Sequence, residues 1–331
     1  PMNQWAHYCI IVTGATSVEY YMNGIKFNQS GTSGSPSVNT VLSLFRVGTS
    51  MSGASRFTGK IDDVRVYNRA LSLAEIRELS GFAPGQIDNN TLWLDAGRAV
   101  FSDAGTTLAT NAQSVQQWND VSMDNGTQNA NNMTQTTATN RPTWTSSVAT
   151  LGNLPAINFD GTNDFLTAGS VLGSKLFNTN ESTNFVVLRQ NSSAGTNVLY
   201  TWGPNSNRYL NAIVGTTQLQ FGQGDLSAGG QLLANQPAGW AGNAQLLEMT
   251  RLTSNAAYIN VNSVNMLAST ITDPIDNSGS NTFNISHTSN QFNGDIAEII
   301  IYKTGLTQSE RDKITCYLSK KYAIAVSVVC D

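Results

Sequence analysis

The stretch FTGKIDDVRVYNRALSLAEIREL, Phe57–Leu79, recurs near the other end of the chain as FNGDIAEIIIYKTGLTQSERDKI, Phe292–Ile314. The same residue types return at one constant offset at six positions: Phe57, Gly59, Ile61, Tyr67, Leu71 and Glu75 correspond to Phe292, Gly294, Ile296, Tyr302, Leu306 and Glu310. A repeat of this kind indicates two copies of one domain type.

Each copy of the repeated stretch reads as a strand followed by a helix. In the first copy, apolar and charged residues alternate over Gly59–Tyr67, which predicts a half-buried strand. The apolar residues Leu71, Ile76 and Leu79 then follow with helical spacing. A hydroxyl residue with Glu three positions later predicts a capping box at both helix starts, at Ser72–Glu75 and Thr307–Glu310.

The composition limits the classes of function. Hydrophobic residues make up 40% of the 331, enough for a large core, whereas charged residues make up only 12%, about half the usual share of roughly 25%. A surface rich in Asn, Thr, Ser and Gly is typical of secreted and cell-surface β proteins. The net charge of −4 argues against a nucleic-acid partner. No apolar run approaches the length of a membrane span.

The remaining sequence predicts short strands separated by Gly, Asn and Asp turns, as in a β-sandwich. Asn23-Gly24 is a strong signal for a tight turn in the first part of the chain. The stretch GFAPGQIDNN interrupts the pattern with Gly and Pro. We therefore predict a first domain over residues 1–82, a linker over 83–90 and a second domain over 91–331.

Both domains resemble the concanavalin A-like jelly rolls of the laminin G-like group. The first carries YYMNG and the closing motif F-x-G-x-I-D-D-V-R-V-Y-N-R-A-L-S-x-x-E-I, and the second carries LWLDAG, PAINFDGTNDFL, AEIIIY and YLSKKYAI. The second is similar to modules of secreted and surface proteins of Bacteroidetes-type bacteria. The resemblance implies an all-β fold of two sandwiches, each closed by a short α-helix, and an extracellular setting.

The first domain is shorter than the family pattern. Its roughly 80 residues match only the C-terminal half of a laminin G-like sandwich, whose front strands are missing from this stretch. Half a sandwich would expose an apolar sheet face and unpaired strand edges. We expect these strands to come either from sequence before Pro1 in a longer product or from another chain.

Glucanases of this fold carry the triplet E-x-D-x-x-E on one strand, so that alternation points both carboxylates into the cleft. No such triplet occurs in this chain. Asp295 and Glu298 stand three apart, so in a regular strand they would face opposite sides. The prediction is a non-enzymatic protein.

Calcium is the cofactor that the resemblance implies, because laminin G-like sandwiches often hold one Ca²⁺ at a rim. A hard cation of this kind takes oxygen ligands. The candidate ligands lie in FDGTNDF and in the closing strand: Asp160, Asn163, Asp164, Asn293 and Asp295. The alternative is that the residues of FDGTNDF only form turns through hydrogen bonds of their own side chains.

Sugar binding would require exposed aromatic rings beside amides. Three aromatic residues occur in Gly- and Asn-rich contexts typical of loops: Trp202, Tyr209 and Trp240. The alternative is that these rings pack into the core, as tryptophans of sandwiches usually do.

The three cysteines leave the redox chemistry open. Cys316 and Cys330 can pair, but because the number is odd we expect three thiols, including Cys9.

Three functions follow from these patterns. The leading hypothesis is an extracellular fragment of a bacterial surface protein that binds glycan or protein partners for adhesion. The second is a structural subunit of a filament or stalk, in which strands from a neighbouring copy complete the first domain. The third is an accessory carbohydrate-binding module of a secreted enzyme.

Overall fold

The computed structural model divides into two compact units, Pro1–Gln86 with Asn125–Thr127, and Ile87–Asp124 with Gln128–Asp331. We call them unit 1 and unit 2. The structure describes residues 5–12, 18–27, 46–50, 55–71, 73–124, 127–128, 131–168, 180–191, 197–202, 209–214, 217–224, 229–274, 282–286 and 290–330. The fold is all-β with short helices, as the sequence predicts.

The described part of unit 1 contains a three-stranded antiparallel sheet and a helix. The elements are β1 (Tyr8–Val12), β2 (Val18–Met22), β3 (Ile25–Phe27) and α1 (Leu73–Ser80). Asn23 and Gly24 both have positive φ in the turn between β2 and β3, which confirms the predicted tight turn. A small core forms where Ile11 and Tyr21 of the sheet meet Leu71 and Ile76.

The predicted strand over Gly59–Tyr67 is wrong for unit 1. Among the described residues this segment pairs with no strand, and it is exposed along its whole length. A strand exists only where neighbours satisfy its backbone N–H and C=O groups. The predicted capping residue Ser72 lies outside the described residues.

The described residues of unit 2 form two nine-stranded sheets. Sheet I has the order β18-β17-β16-β15-β22-β13-β10-β7-β5. Its strands are β5 (Val100–Phe101), β7 (Gln117–Trp118), β10 (Met133–Thr134), β13 (Leu166–Ala168), β15 (Asn197–Trp202), β16 (Tyr209–Val214), β17 (Gln218–Gly224), β18 (Gln231–Asn235) and β22 (Phe283–Ile285).

Sheet II has the order β21-β20-β19-β14-β23-β12-β11-β6, with β4 also paired to β23. Its strands are β4 (Asn90–Asp95), β6 (Gln113–Ser114), β11 (Thr143–Val148), β12 (Leu154–Asp160), β14 (Ser182–Gln190), β19 (Gln245–Arg251), β20 (Ala256–Val261), β21 (Val264–Thr270) and β23 (Asn293–Tyr302). Two further short strands, β8 (Met123–Asp124) and β9 (Thr127–Gln128), lie outside both sheets.

One continuous apolar core joins the inner faces of the two sheets. Trp118, Phe221 and Phe283 of sheet I and Phe159 and Ile299 of sheet II belong to it, each fully buried. Two sheets that share one core in this way form a jelly-roll sandwich.

The second copy of the repeated stretch forms the central strand β23 of sheet II. β14 pairs along one side of β23, while β12 and β4 share its other side. Gly294 has a φ of 155°, close to the 152° of Gly59 at the equivalent position of unit 1. The same sequence motif therefore keeps a local backbone conformation in both units but becomes a strand only where three partners flank it.

Helix α2 (Gln308–Tyr322) covers part of the outer face of sheet II. Thr307 accepts a hydrogen bond from the backbone N–H of Glu310, and the Glu310 carboxylate accepts one from the N–H of Thr307. The capping box predicted at this helix start is confirmed. Cys316 of α2 forms a disulfide with Cys330, so the expectation of three thiols is wrong, and only Cys9 is a free thiol.

Candidate functional site

An open groove of about 340 Å³ lies on the outer face of sheet II. We call it the outer groove. Eight residues line it: Thr145, Ser147, Val148, Ala149, Thr150, Asn158, Arg189 and Asp295. The neighbouring strands β11, β12, β23 and β14 contribute most of these side chains, because alternation turns them away from the core.

Three polar side chains form a connected set in the outer groove. Arg189 donates from Nε to Oδ2 of Asp295 at 2.7 Å, and Asn158 donates from Nδ2 to Oδ1 of the same carboxylate at 2.9 Å. The Asp295 side chain is only 3% exposed, whereas that of Arg189 is 28% exposed. A guanidinium and an amide thus hold a carboxylate in a fixed orientation beneath an accessible surface.

A β-bulge shapes the rim of the outer groove. The register between β11 and β12 shifts between Thr145 and Val148, and the short 3₁₀ helix Ala149–Leu151 follows directly. Bulges re-aim side chains and bend a strand. Here Thr145, Ser147 and Thr150 of the irregular segment line the outer groove together with the charged set.

The predicted calcium residues divide into two groups. Asp160, Asn163 and Asp164 lie in one turn, and Asp160 pairs across the sheet with Asn293. Gly161 allows this arrangement, because it has a φ of 76° and a Cβ there would come within 2.7 Å of the Asn293 side chain. Asp295 does not belong to this turn, because its two oxygens accept hydrogen bonds from Arg189 and Asn158 in the outer groove.

Hydrogen bonds within the turn occupy part of its oxygen atoms. Asp160 Oδ1 accepts from the backbone N–H groups of Thr162 and Asn163, and Asp164 Oδ2 accepts from the N–H of Asp160. Burial raises the pKa of Asp164 to about 6, and the nearby Asp160 carboxylate adds to this rise. Among the described residues, no three His, Cys, Asp or Glu side chains lie together as a metal cluster.

Two of the three aromatic residues expected to stack on sugars are buried. Trp202 is 1% exposed and Trp240 is 3% exposed, and both belong to the core of unit 2. The Trp240 ring donates a hydrogen bond to the Gln190 side chain at 2.6 Å. The expectation of exposed rings is therefore wrong for these two, since the Gly- and Asn-rich context does not determine burial. Tyr209 begins β16, and its side chain lies outside what the structure describes.

The expectation that Asp295 and Glu298 face opposite sides of their strand is also wrong. The register between β14 and β23 shifts between Val187 and Leu188, which inserts one extra residue into β23. Ile296 and Ile299 point into the core, so both carboxylates lie on the outer face. Asp295 lines the outer groove, whereas Glu298 is fully buried.

Sequence reasoning missed Arg189 and Asn158. The signal was present in FVVLR and AINF, where Arg189 ends one apolar run and Asn158 interrupts another. Such a residue needs a polar partner. Its partner is set by strand order, which places Asn158 and Arg189 on either side of Asp295.

Residues 1–77 match the family model of the concanavalin A-like lectin/glucanases superfamily. No curated protein matches the chain. The described part contains no helix that is both long and apolar enough to cross a membrane.

Solved structures match this chain only distantly. Trypanosoma rangeli sialidase in complex with sialic acid is 14% identical, with a TM-score of 0.43, over 69% of this chain and 32% of the sialidase. The botulinum neurotoxin serotype D binding domain is 9% identical, with a TM-score of 0.42, over 69% of this chain and 50% of that one. NanB sialidase from Streptococcus pneumoniae is 17% identical, with a TM-score of 0.39, over 46% and 26%. The chain thus spans half or less of the length of these proteins.

Proposed function

We propose that this protein is a non-enzymatic binding module whose outer groove takes carbohydrate. The observation that carries the proposal is the oriented set of Arg189, Asp295 and Asn158 beneath an open, hydroxyl-rimmed surface. Sugar hydroxyls both donate and accept hydrogen bonds. A carboxylate offers acceptors, a guanidinium offers donors and an amide offers both, so this set complements a diol.

The groove is suited to weak binding. None of the eight described residues that line it is aromatic, so affinity would come from hydrogen bonds rather than from stacking on a ring. Each exchanged hydrogen bond contributes about 0.5–1.5 kcal/mol net. A few such bonds correspond to a dissociation constant on the order of 1 mM per site. Useful adhesion would then arise from several modules acting together.

The proposed setting is extracellular, on a bacterial surface of the Bacteroidetes type. Two observations support the extracellular part of this proposal. The chain has only 12% charged residues, and Cys316 and Cys330 form a disulfide. Disulfides persist in oxidising compartments and are rare in the cytosol. Adhesion is the role that such a module would serve there, and an accessory binding module of a secreted enzyme would use the same groove.

The absence of catalysis is part of the proposal. Glycoside cleavage needs two carboxyl groups that flank the scissile bond. Asp295 lies in the outer groove with its charge paired to Arg189, while Glu298 is fully buried beneath helix α2. Glu298 hence cannot serve as the second carboxyl group at the groove.

Binding to an array of neutral and acidic oligosaccharides tests the proposed function, followed by NMR titration of any sugar that binds. We expect Asn158→Ala and Arg189→Lys to weaken binding at least tenfold. Thr270→Ala, an exposed change on edge strand β21 of the same sheet, is the matched control and should leave binding unchanged. Binding that survives both groove variants would refute the site, and selective capture of a protein would favour a protein partner instead.

Calcium at the turn Asp160–Asp164 is a further part of the proposal. Asp160, Asn163 and Asp164 would supply side-chain oxygens, with Asn293 beside them on β23, whereas Asp295 would not take part. A cation bound between two neighbouring carboxylates offsets the repulsion of their negative charges. Calcium should then raise the unfolding temperature of unit 2, and Asp164→Asn should abolish the rise. An identical unfolding temperature in calcium and in EDTA would exclude this site.

A second candidate function is that of a filament subunit completed by a neighbouring chain. In unit 1, Ile11 of β1 packs towards α1, and the residues of β1 that alternate with it are exposed: Tyr8 by 61%, Ile10 by 64% and Val12 by 43%. In unit 2, α2 packs on one face of sheet II, and the opposite face forms the core. The exposed face of β1 therefore corresponds to the face that a second sheet covers in a complete sandwich.

Size-exclusion chromatography with light scattering tests this second candidate. Oligomers that dissociate in the Ile10→Asp variant but persist in the Val329→Asp variant would support the filament hypothesis. Val329 is the control because it is 88% exposed and lies in unit 2. A monomer at high concentration would refute it and leave the groove proposal standing.

A further inference from the structure

A lysine and two carboxylates converge beneath helix α2. Lys321 Nζ lies 2.7 Å from Asp95 Oδ2 and 2.7 Å from Glu298 Oε2. Asp95 ends β4, Glu298 lies in the middle of the adjacent strand β23, and Lys321 lies in the last turn of α2. The amine of Lys321 on helix α2 thus contacts the carboxylate of Asp95 on β4, the first strand of unit 2.

The two carboxylates of this cluster are almost fully buried, and the amine is largely buried. The side chains of Asp95 and Glu298 are 2% and 0% exposed, and that of Lys321 is 22% exposed. The rings of Tyr317 and Tyr322 lie 5.4 and 5.1 Å from the Lys321 ammonium. In such an environment a charged pair loses most of its hydration, which makes a neutral product comparatively favourable.

Glu298 is held in place by three donors besides Lys321. Trp93 donates from its indole N–H to Oε1 at 2.6 Å, Tyr317 donates to the same oxygen at 3.2 Å, and Tyr322 donates to Oε2 at 2.8 Å. Burial raises the pKa of Glu298. This carboxyl is therefore oriented towards the amine and disposed to carry a proton.

We propose that Lys321 and Asp95 condense to an intramolecular amide, with Glu298 as the proton relay. The Nζ lone pair attacks Cγ of Asp95, and the C–Oδ2 bond breaks. The ammonium loses two protons in the course of the reaction, and both leave with the carboxylate oxygen as one water molecule. Glu298 passes protons from Nζ to the departing oxygen and returns to its starting state.

The groups around Asp95 fit the charge that develops during this step. The backbone N–H of Gly97 donates to Asp95 Oδ1 at 2.9 Å, and Arg98 Nε lies 3.1 Å from Oδ2. A tetrahedral intermediate places negative charge on the oxygen that remains, where Gly97 donates. Although burial lowers the pKa of Lys321, the two carboxylates outweigh burial and hold it well above its usual range. Proton transfer within the cluster must hence precede attack.

The mass of the intact, reduced chain under denaturing conditions tests the proposal without any variant. We expect it to be lower than the mass of the sequence by one water molecule. Proteolysis should then release one branched fragment that joins the peptides containing Asp95 and Lys321. Lys26 and Glu19 of unit 1 serve as the internal control, because their atoms also lie 2.7 Å apart but their side chains are 45% and 28% exposed. They should remain unlinked.

Two variants separate the role of Asp95 as the reacting carboxylate from that of Glu298 as the proton relay. Asp95→Asn should still form the link but lose ammonia instead of water, which only a reaction at this carbon predicts. Glu298→Gln should leave Lys321 and Asp95 unlinked in a protein that folds, as circular dichroism would show. An intact mass equal to that of the sequence, or a link from Lys321 to Glu298, would overturn the proposal. A linked Glu298→Gln variant would overturn the relay.

Discussion

Replacing Gly294 by Ala should destabilise unit 2 far more than the equivalent change at Gly59 destabilises unit 1. Both glycines occupy the same position in the repeated stretch and have nearly the same φ, 155° and 152°. A Cβ at Gly294 would overlap the backbone carbonyl oxygen of Arg189 and approach Gln190 Cα to 2.9 Å. The three atoms nearest to a Cβ at Gly59 all belong to the ring of Phe57, which is 59% exposed and can rotate away.

The magnitudes follow from these contacts. An L-residue in this backbone conformation costs about 1–3 kcal/mol, and overpacking against the fixed backbone of β14 adds about 1–3 kcal/mol. We therefore expect Gly294→Ala to lower the free energy of unfolding by about 2–6 kcal/mol. For Gly59→Ala we expect about 1 kcal/mol or less, because the unpaired segment can change its backbone conformation to relieve the strain.

Urea unfolding followed by tryptophan fluorescence measures the loss of stability caused by Gly294→Ala, since every tryptophan except Trp5 lies in unit 2. Differential scanning calorimetry measures the effect of both variants on the unfolding temperature. The outer groove provides a second readout, because a displaced Arg189 backbone should also weaken glycan binding. Equal destabilisation by the two variants, or a loss below about 1 kcal/mol for Gly294→Ala, would refute this account of the central strand.

Three further predictions concern buried or capping groups. Burial raises the pKa of Asp120 from 3.8 to about 6, so the folded state retains a proton that the unfolded state releases. The free energy of unfolding should therefore fall by up to about 3 kcal/mol as the pH rises from about 4 to about 6. Asp120→Asn should remove this pH dependence in urea titrations. Trp202→Ala should cost about 3–5 kcal/mol in the same assay and leave sugar binding at the groove unchanged, because the ring is a core residue. Thr307→Ala should cost about 1 kcal/mol through loss of the capping box, whereas Thr307→Ser should cost little in thermal unfolding.

Local features were predictable from the sequence, because neighbours in the chain determine them. The tight turn at Asn23-Gly24 requires residues that tolerate positive φ, and the capping box at Thr307 requires only two side chains three positions apart. The all-β class follows from the alternation of apolar residues and from the turns that separate them. The turn Asp160–Asp164 has side-chain hydrogen bonds of the kind given above as the alternative to calcium binding.

The candidate site could not be predicted to the same extent, because strand order and register determine it. Asn158 and Arg189 are far from Asp295 in the sequence and meet it only because β12 and β14 flank β23. The extra residue inserted into β23 turned Glu298 to the outer face, against the simple alternation rule.

The repeated stretch separates what the sequence determines from what the tertiary structure decides. By itself it specifies a glycine conformation, an apolar pattern and, at its second copy, a capped helix, since these depend on contacts within a few residues. Whether its strand forms depends on partners: Asn293–Tyr302 has β4, β12 and β14 beside it, while Gly59–Tyr67 pairs with none of the described strands. Backbone hydrogen bonds between strands join residues distant in the sequence, so only the folded chain can supply them.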